Sequence, residues 1–305
     1  RKVMGLAQEE DLKVVFVDVF KCKSPMEFSE AVASAVLSQT ASRTEEFIEN
    51  AKAFLGRINI GVNLSPDPLS SLDIKLGLTD DKADISNALQ IPQKIAGKKN
   101  IRIVVCIDEF QQVGEYVDSL AFQRELRTVW QHQQDVTYCL FGSKKHMMES
   151  LFDNPSKPFY KFGDIIYLKT IPLNYWTEYI SGKFSAAGKS ITETQIRRIC
   201  ETVAYHSSYV QQLCWYVLLH SAETVTEEGI DAGIDELVAQ NTALFESWTE
   251  NLPAYQMRFL MALADGVNDR FSTTEIIGQY RLGSSANVAA LKKGRLDKNL
   301  IYVDN

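Results

Sequence analysis

The run IRIVVCIDEF at 101–110 constrains this chain more than any other feature. Ile103, Val104, Val105, Cys106 and Ile107 follow one another without a polar break, and the run stops abruptly at Asp108 and Glu109. A continuous apolar, β-branched run has no polar face, so as a strand it must be covered on both sides. Such strands belong to parallel sheets flanked by helices. A second run of the same kind, KVVFVDV, lies at 13–19, and VTYCLFGS (136–143) and DIIYLKTI (164–171) are expected as a third and fourth strand. Helical signals fall between them. Ser24 is a candidate N-cap, Pro25 sits at the first helical position, Glu27 closes a capping box, and Phe28, Val32, Ala35 and Val36 recur at helical spacing. Phe122, Leu126, Val129 and Trp130 mark one face of a helix over about 117–133. The fold class is therefore α/β with a parallel sheet, interrupted by an irregular excursion at 56–82 that is rich in Gly, Pro, Ser and Asp.

The strand pattern ends near residue 171. Four helical stripes follow: Trp176, Tyr179, Ile180 and Phe184; Ile196, Ile199, Cys200 and Val203; Val210, Leu213, Cys214 and Val217; Ile230, Ile234, Leu237 and Val238. The second stripe opens with a Thr192/Gln195 capping box. From 252 the pattern changes again. A helix from about 253 to 264, a short one within 272–280, and a third running from Ser284 into the apolar IYV at 301–303 suggest an incomplete winged helix. The expected domains are 1–171, a parallel-sheet core; 172–250, an all-α domain; and 251–305, a winged helix.

Charge is divided along these segments. Residues 1–170 carry 21 basic and 23 acidic side chains, 171–250 carry 4 and 11, and 251–305 carry 7 and 5, which together make the net charge of −7. A chain living mainly on nucleic acid has a basic stripe, and only the last segment offers one. The five cysteines, Cys22, Cys106, Cys139, Cys200 and Cys214, have no metal-ligand spacing and read as buried reduced thiols of a cytoplasmic protein. No apolar run is long enough for a transmembrane helix, so no membrane partner is expected. Arg1 to Ala7 read as the middle of a helix, and polypeptide upstream of them is expected.

Ligands on parallel sheets bind outside the carboxyl ends of the strands, which singles out Asp18, Asp108, Glu109 and Ser143. A buried strand ending in Asp-Glu has a mechanical meaning in nucleotide hydrolysis. The first carboxylate holds Mg²⁺ and the second orients or deprotonates the attacking water. On this reading Asp108 is the metal and cofactor ligand, Glu109 the catalytic carboxylate, and Ser143, one strand over, the group facing the γ-phosphate.

The run IVVCIDEFQQV…LRTVWQHQQDVTYCLFGS…MMESLF…FYKF resembles the prokaryotic and archaeal ATPases of the STAND clade of AAA+ proteins, and the likeness spans nearly the whole chain. The resemblance implies a P-loop NTPase core, a helical lid, a winged helix, ATP and Mg²⁺ as cofactors, and a regulatory switch driven by nucleotide state. The family's phosphate-binding loop, G-x-x-x-x-G-K-[ST], is not among these residues and would lie just before Arg1. The only Gly-Lys-Ser, at 188–190, is a decoy, since the position five before Gly188 is Lys183 and no buried strand precedes it. The family's nucleotide-sensing turn corresponds to AYHSSYVQQL (204–213), where Ser207 stands near the usual proline, so Ser207 is either a cofactor contact or a plain helix cap. Arg124 and Arg127 on the helix after the acidic strand suit either an arginine finger toward a neighbouring subunit or a solvated face paired with acids such as Glu125. Lys292, Lys293 and Arg295 suit DNA phosphate contacts, although the winged helix serves equally as a protein-interaction module or in self-association. The alternative to an ATP-driven switch is a DNA-binding regulator or initiator-like protein with a degenerate ATPase core.

Overall fold

The computed structural model describes residues 12–42, 44–55, 61–63, 73–76, 78, 80–250, 252–267, 269–286 and 288. The chain divides into two compact units, 1–164 and 165–305. Three separate apolar cores run through residues 15–159, 176–237 and 259–288.

The first unit is built on a parallel three-stranded sheet in the order β1-β4-β5, with β1 Leu12–Asp18, β4 Arg102–Asp108 and β5 Val136–Leu140. The central position of β4 explains its unbroken apolar run: Ile103, Val105, Cys106 and Ile107 are all buried. The register aligns Asp18 with Asp108 and Ile107 with Leu140, so all three strands end at one edge. Helix α1, Pro25–Thr40, begins as its sequence requires. Ser24 Oγ accepts the Glu27 N–H at 3.2 Å, while the Glu27 carboxylate reaches one residue beyond the cap and accepts the Lys23 N–H at 2.6 Å. Helix α2, Thr44–Leu55, follows it. Helix α5, Ser119–Trp130, buries Phe122, Leu126, Val129 and Trp130 as its periodicity predicts.

Three expectations are corrected here. The excursion at 56–82 contains two short strands, β2 Gly61–Asn63 and β3 Asp73–Lys75, paired antiparallel. Helices α3 (Lys82–Leu89) and α4 (Ile91–Lys99) follow, with Ile85, Leu89, Ile91 and Ile95 buried. Residues 164–171 form no strand: they run as irregular chain in which Ile166 is 83% and Leu168 92% exposed. An apolar run becomes a strand only where a neighbouring edge takes its N–H and C=O groups, and among the described residues no ladder includes this one. The strand predicted over 136–143 stops at Leu140, leaving Phe141, Gly142 and Ser143 as an exposed turn. Helix α6, Lys145–Phe152, follows it.

The second unit holds α7 Leu173–Ala186, α8 Glu193–Thr202, α9 Ser207–His220 and α10 Glu227–Thr249. The predicted stripes supply their common core, with Trp176, Ile180, Phe184, Ile196, Ile199, Cys200, Val210, Leu213, Val217, Ile230 and Leu237 buried, whereas Tyr179 and Val238 stay exposed. The Thr192/Gln195 capping box forms as read from sequence. Gly233 lets α10 approach α9 closely, since a Cβ there would lie 2.8 Å from Val217 Cγ2. Helices α11 (Ala254–Ala264) and α12 (Thr274–Tyr280) build the third core around Phe259, Phe271 and Leu282. The third helix and the strand of the expected winged helix, with Lys292, Lys293 and Arg295, lie outside the described residues, as does the reading of Arg1 to Ala7 as a helix. No helix among the described residues is long and apolar enough to cross a membrane.

Candidate active site at the carboxyl edge of the sheet

Asp108 is the last residue of β4, and Glu109 leaves the strand in the left-handed region at φ 56°, ψ 36°. Outside glycine that conformation costs about 1–3 kcal/mol and is held only where the surroundings over-determine it. The surroundings do so. Phe110 N–H donates to Phe141 O at 2.8 Å, Phe141 N–H donates to Ile107 O at 2.8 Å, and the Phe110 ring is fully buried. That ring packs edge-on against Phe28 and Phe159, with centroids 6.2 and 5.7 Å away. Burial of a Phe side chain contributes roughly 1.5–3 kcal/mol, enough to offset the strain at Glu109. Apolar anchoring on one side of the bend therefore fixes the carboxylates on the other.

The carboxylates are held by specific donors. Asp108 Oδ1 accepts the Glu109 N–H at 3.0 Å and makes no other hydrogen bond among the described residues. Glu109 Oε2 accepts from Ser143 Oγ at 3.1 Å and from Gln111 Nε2, while Glu109 Oε1 has no partner among them. Ser143 is thus brought to Glu109, as its place at the end of the neighbouring strand suggests. Asp18 lies in register with Asp108, and its Oδ1 accepts the Phe20 N–H at 2.8 Å.

Gln111 and Gly142 escape a reading of the sequence alone. Gln111 is fully buried, its Nε2 spent on Glu109 and its Oε1 without a partner among the described residues. The Glu109 carboxylate dictates that orientation, because only the NH₂ end of the amide can face it. Gly142 sits where a Cβ would lie 2.5 Å from Met148 Cγ and 2.6 Å from Gln111 Oε1. Neither residue belongs to a periodic pattern, and the one signal they carry is adjacency to the acidic strand end and to Ser143.

The remaining candidates lie apart from this cluster. The Arg127 guanidinium donates to the carbonyls of Pro158 and Tyr160 and lies 5.4 Å over the Phe162 ring, so it braces the loop after α6 rather than pairing with an acid. Ser207 belongs to the second unit and is the first residue of α9, whose N-cap is His206; the expected cap at Ser207 or Ser208 is corrected accordingly. The turn before it is unusual in another way. Ala204 and Tyr205 are both left-handed, at φ 48° and 59°, and the Tyr205 N–H closes α8 by donating to Cys200 O at 2.8 Å.

The Gly-Lys-Ser decoy is accounted for. Gly188, at φ 71°, ends α7, and Lys189 Nζ donates to Leu218 O at 2.6 Å and to Ser221 O, capping the carbonyl end of α9. All five cysteines are free, but contrary to the expectation that all are buried, only Cys106 and Cys200 are; Cys22 and Cys214 are partly buried and Cys139 is exposed. Burial pushes the Cys22 and Cys200 thiols up to about 11 and Cys214 up to about 12, so these three stay protonated at neutral pH and are poor nucleophiles.

No protein-family model matches the sequence, and no curated protein matches it. Solved structures do. The Walker-type ATPase PABY2304 of Pyrococcus abyssi superposes with a TM-score of 0.63 at 15% identity, over 96% of this chain and 80% of that one. The ORC2 protein of Aeropyrum pernix, solved in ADPNP–ADP complexes, gives a TM-score of 0.54 at 12% identity, over 99% of this chain and 75% of that one. These likenesses establish a P-loop NTPase-like fold.

Proposed function

We propose that this chain is the nucleotide-responsive part of an ATP-binding and ATP-hydrolysing regulatory protein of the STAND clade of AAA+ proteins. The observation that carries the reading is the pair Asp108 and Glu109 at the end of the buried central strand, with Ser143 Oγ 3.1 Å from the Glu109 carboxylate. The donor set fits Mg²⁺. Asp108 presents a hard oxygen not committed to any described residue, and Mg²⁺ is commonly held by one or two carboxylates together with substrate phosphates. ATP with Mg²⁺ would supply the phosphoanhydride and the charge neutralisation that hydrolysis needs. Asp108 would hold the metal. Glu109, with Oε2 fixed by Gln111 and Ser143, offers Oε1 to a water and can take its proton.

In the same reading α7 to α10 act as a lid that responds to nucleotide, with Ser207 on its sensing turn, and α11 and α12 open a winged helix. The protein would be cytoplasmic. The glycine-rich loop that grips phosphate has no counterpart among the 305 residues, so the test uses a form of the protein in which such a loop precedes Arg1. There Asp108→Asn is expected to weaken Mg²⁺-dependent ATP binding by roughly ten- to a hundredfold, since an interaction with a charged group contributes about 1.5–3 kcal/mol. Titration calorimetry with and without Mg²⁺ reads this directly, and an Mg²⁺ dependence unchanged in Asp108→Asn contradicts the assignment.

A further inference from the structure

A second polar site lies on the first unit, formed by α5 and the loop after α6. Arg124, Arg127, Thr128 and Gln131 recur at i, i+3, i+4 and i+7 along α5 and make one wall; Ser156, Lys157 and Pro158 make the other. Together they line a shallow cavity, broadly open to solvent, of about 460 Å³. Its walls are fixed. Arg127 ties the loop through the Pro158 and Tyr160 carbonyls, Asn154 Oδ1 accepts from both the N–H (3.0 Å) and the Oγ (2.8 Å) of Ser156, and Phe159 is fully buried.

The electrostatics are out of character for the chain. In a protein of net charge −7, three cations face one cavity and no carboxylate among the described residues lines it. Among the described residues Arg127 bonds only neutral carbonyls, which leave its charge uncancelled, and neither Arg124 nor Lys157 makes an ion pair. Like charges gathered without a counter-charge repel one another and raise local anion concentration. The donors are those that bind nucleic-acid backbones: Arg, Lys, Thr, Ser and Gln. Pro158 is the single apolar lining residue, so neither a stacked base nor a lipid tail finds a partner there.

We infer that this cavity binds the phosphodiester backbone of a nucleic acid, without regard to sequence. The site is separate from the carboxylates of the sheet edge and does not depend on the nucleotide reading. The test is fluorescence anisotropy of the 305-residue chain with a short labelled DNA duplex across a salt series. The wild-type protein is expected to bind with a steep salt dependence. Arg124→Ala with Lys157→Ala is expected to weaken binding roughly tenfold or more and to reduce the magnitude of the salt slope by about two, one for each phosphate that the variant no longer neutralises. Neither side chain has a structural partner among the described residues, so the thermal melt is expected to stay unchanged. Gln131→Glu, which places a negative charge in the same cavity, is expected to weaken binding independently. Lys292→Ala with Lys293→Ala is expected to leave the Arg124 and Lys157 contribution intact, and tripolyphosphate is expected to compete better than polyglutamate. Absence of binding by the wild type, binding indifferent to both cavity variants, or loss confined to the Lys292 and Lys293 variant overturns the inference. Equal competition by polyglutamate overturns it too, and assigns the cavity to an acidic peptide.

Discussion

Gly142 shows how narrowly the candidate site is specified at the level of single atoms. A methyl group at this position would meet Met148 and Gln111 at once. The thioether can move aside, but Gln111 cannot follow cheaply, because its amide is committed to the Glu109 carboxylate. Gly142→Ala is therefore expected to destabilise the fold by about 1–3 kcal/mol, read as a lower urea midpoint with the m-value unchanged; an unchanged midpoint would show that the Gln111 amide is free to shift. Legibility at this scale is uneven. Asp108 and Glu109 stand out because an apolar run ends on them, and Ser143 because it closes a neighbouring run. Gln111 does not, since a buried amide has no periodicity and a polar residue in a turn is ordinarily read as exposed. The left-handed backbone at Glu109 is equally invisible, because it is imposed by the 110–141 hydrogen bond rather than by a glycine.

Among the secondary-structure elements, local signals succeed where burial and capping agree. The start of α1 at Ser24 and Pro25, the Thr192/Gln195 box of α8 and the apolar face of α5 all carry their instructions within a few residues. Helices α3 and α4 escape the pattern because each is short and they adjoin the Gly-, Pro-, Ser- and Asp-rich run at 56–82. The segment 164–171 fails for the opposite reason: its composition is strand-like, yet a strand is a property of a pair, and no partner edge among the described residues takes it up. Lys189 gives the element-level prediction. Its ammonium satisfies carbonyls at the end of α9 that would otherwise lack a donor. Lys189→Ala is expected to cost about 1–2 kcal/mol of stability in thermal or chemical unfolding, while nucleotide affinity, measured in the loop-bearing form, stays unchanged. A loss of nucleotide affinity without a loss of stability would restore the Gly-Lys-Ser at 188–190 as a phosphate grip.

For the whole molecule, the apolar patterns recover the α/β class, the parallel sheet and the change to helices after it, and the superpositions on the Pyrococcus abyssi and Aeropyrum pernix structures agree with that class. The order β1-β4-β5 places the acidic strand in the centre of the described sheet, where its backbone is held by both neighbours up to Ile107 and by β1 as far as Asp108. In the proposed reading Glu109 activates the attacking water, a role read out by turnover. In a form of the protein with a phosphate-binding loop preceding Arg1, Glu109→Gln preserves the hydrogen-bonding shape of the side chain but removes its basicity. The expected result is ATP retained on the protein with hydrolysis reduced roughly a hundred- to ten-thousandfold, the usual contribution of a general base. Hydrolysis by Glu109→Gln at the wild-type rate would contradict the account.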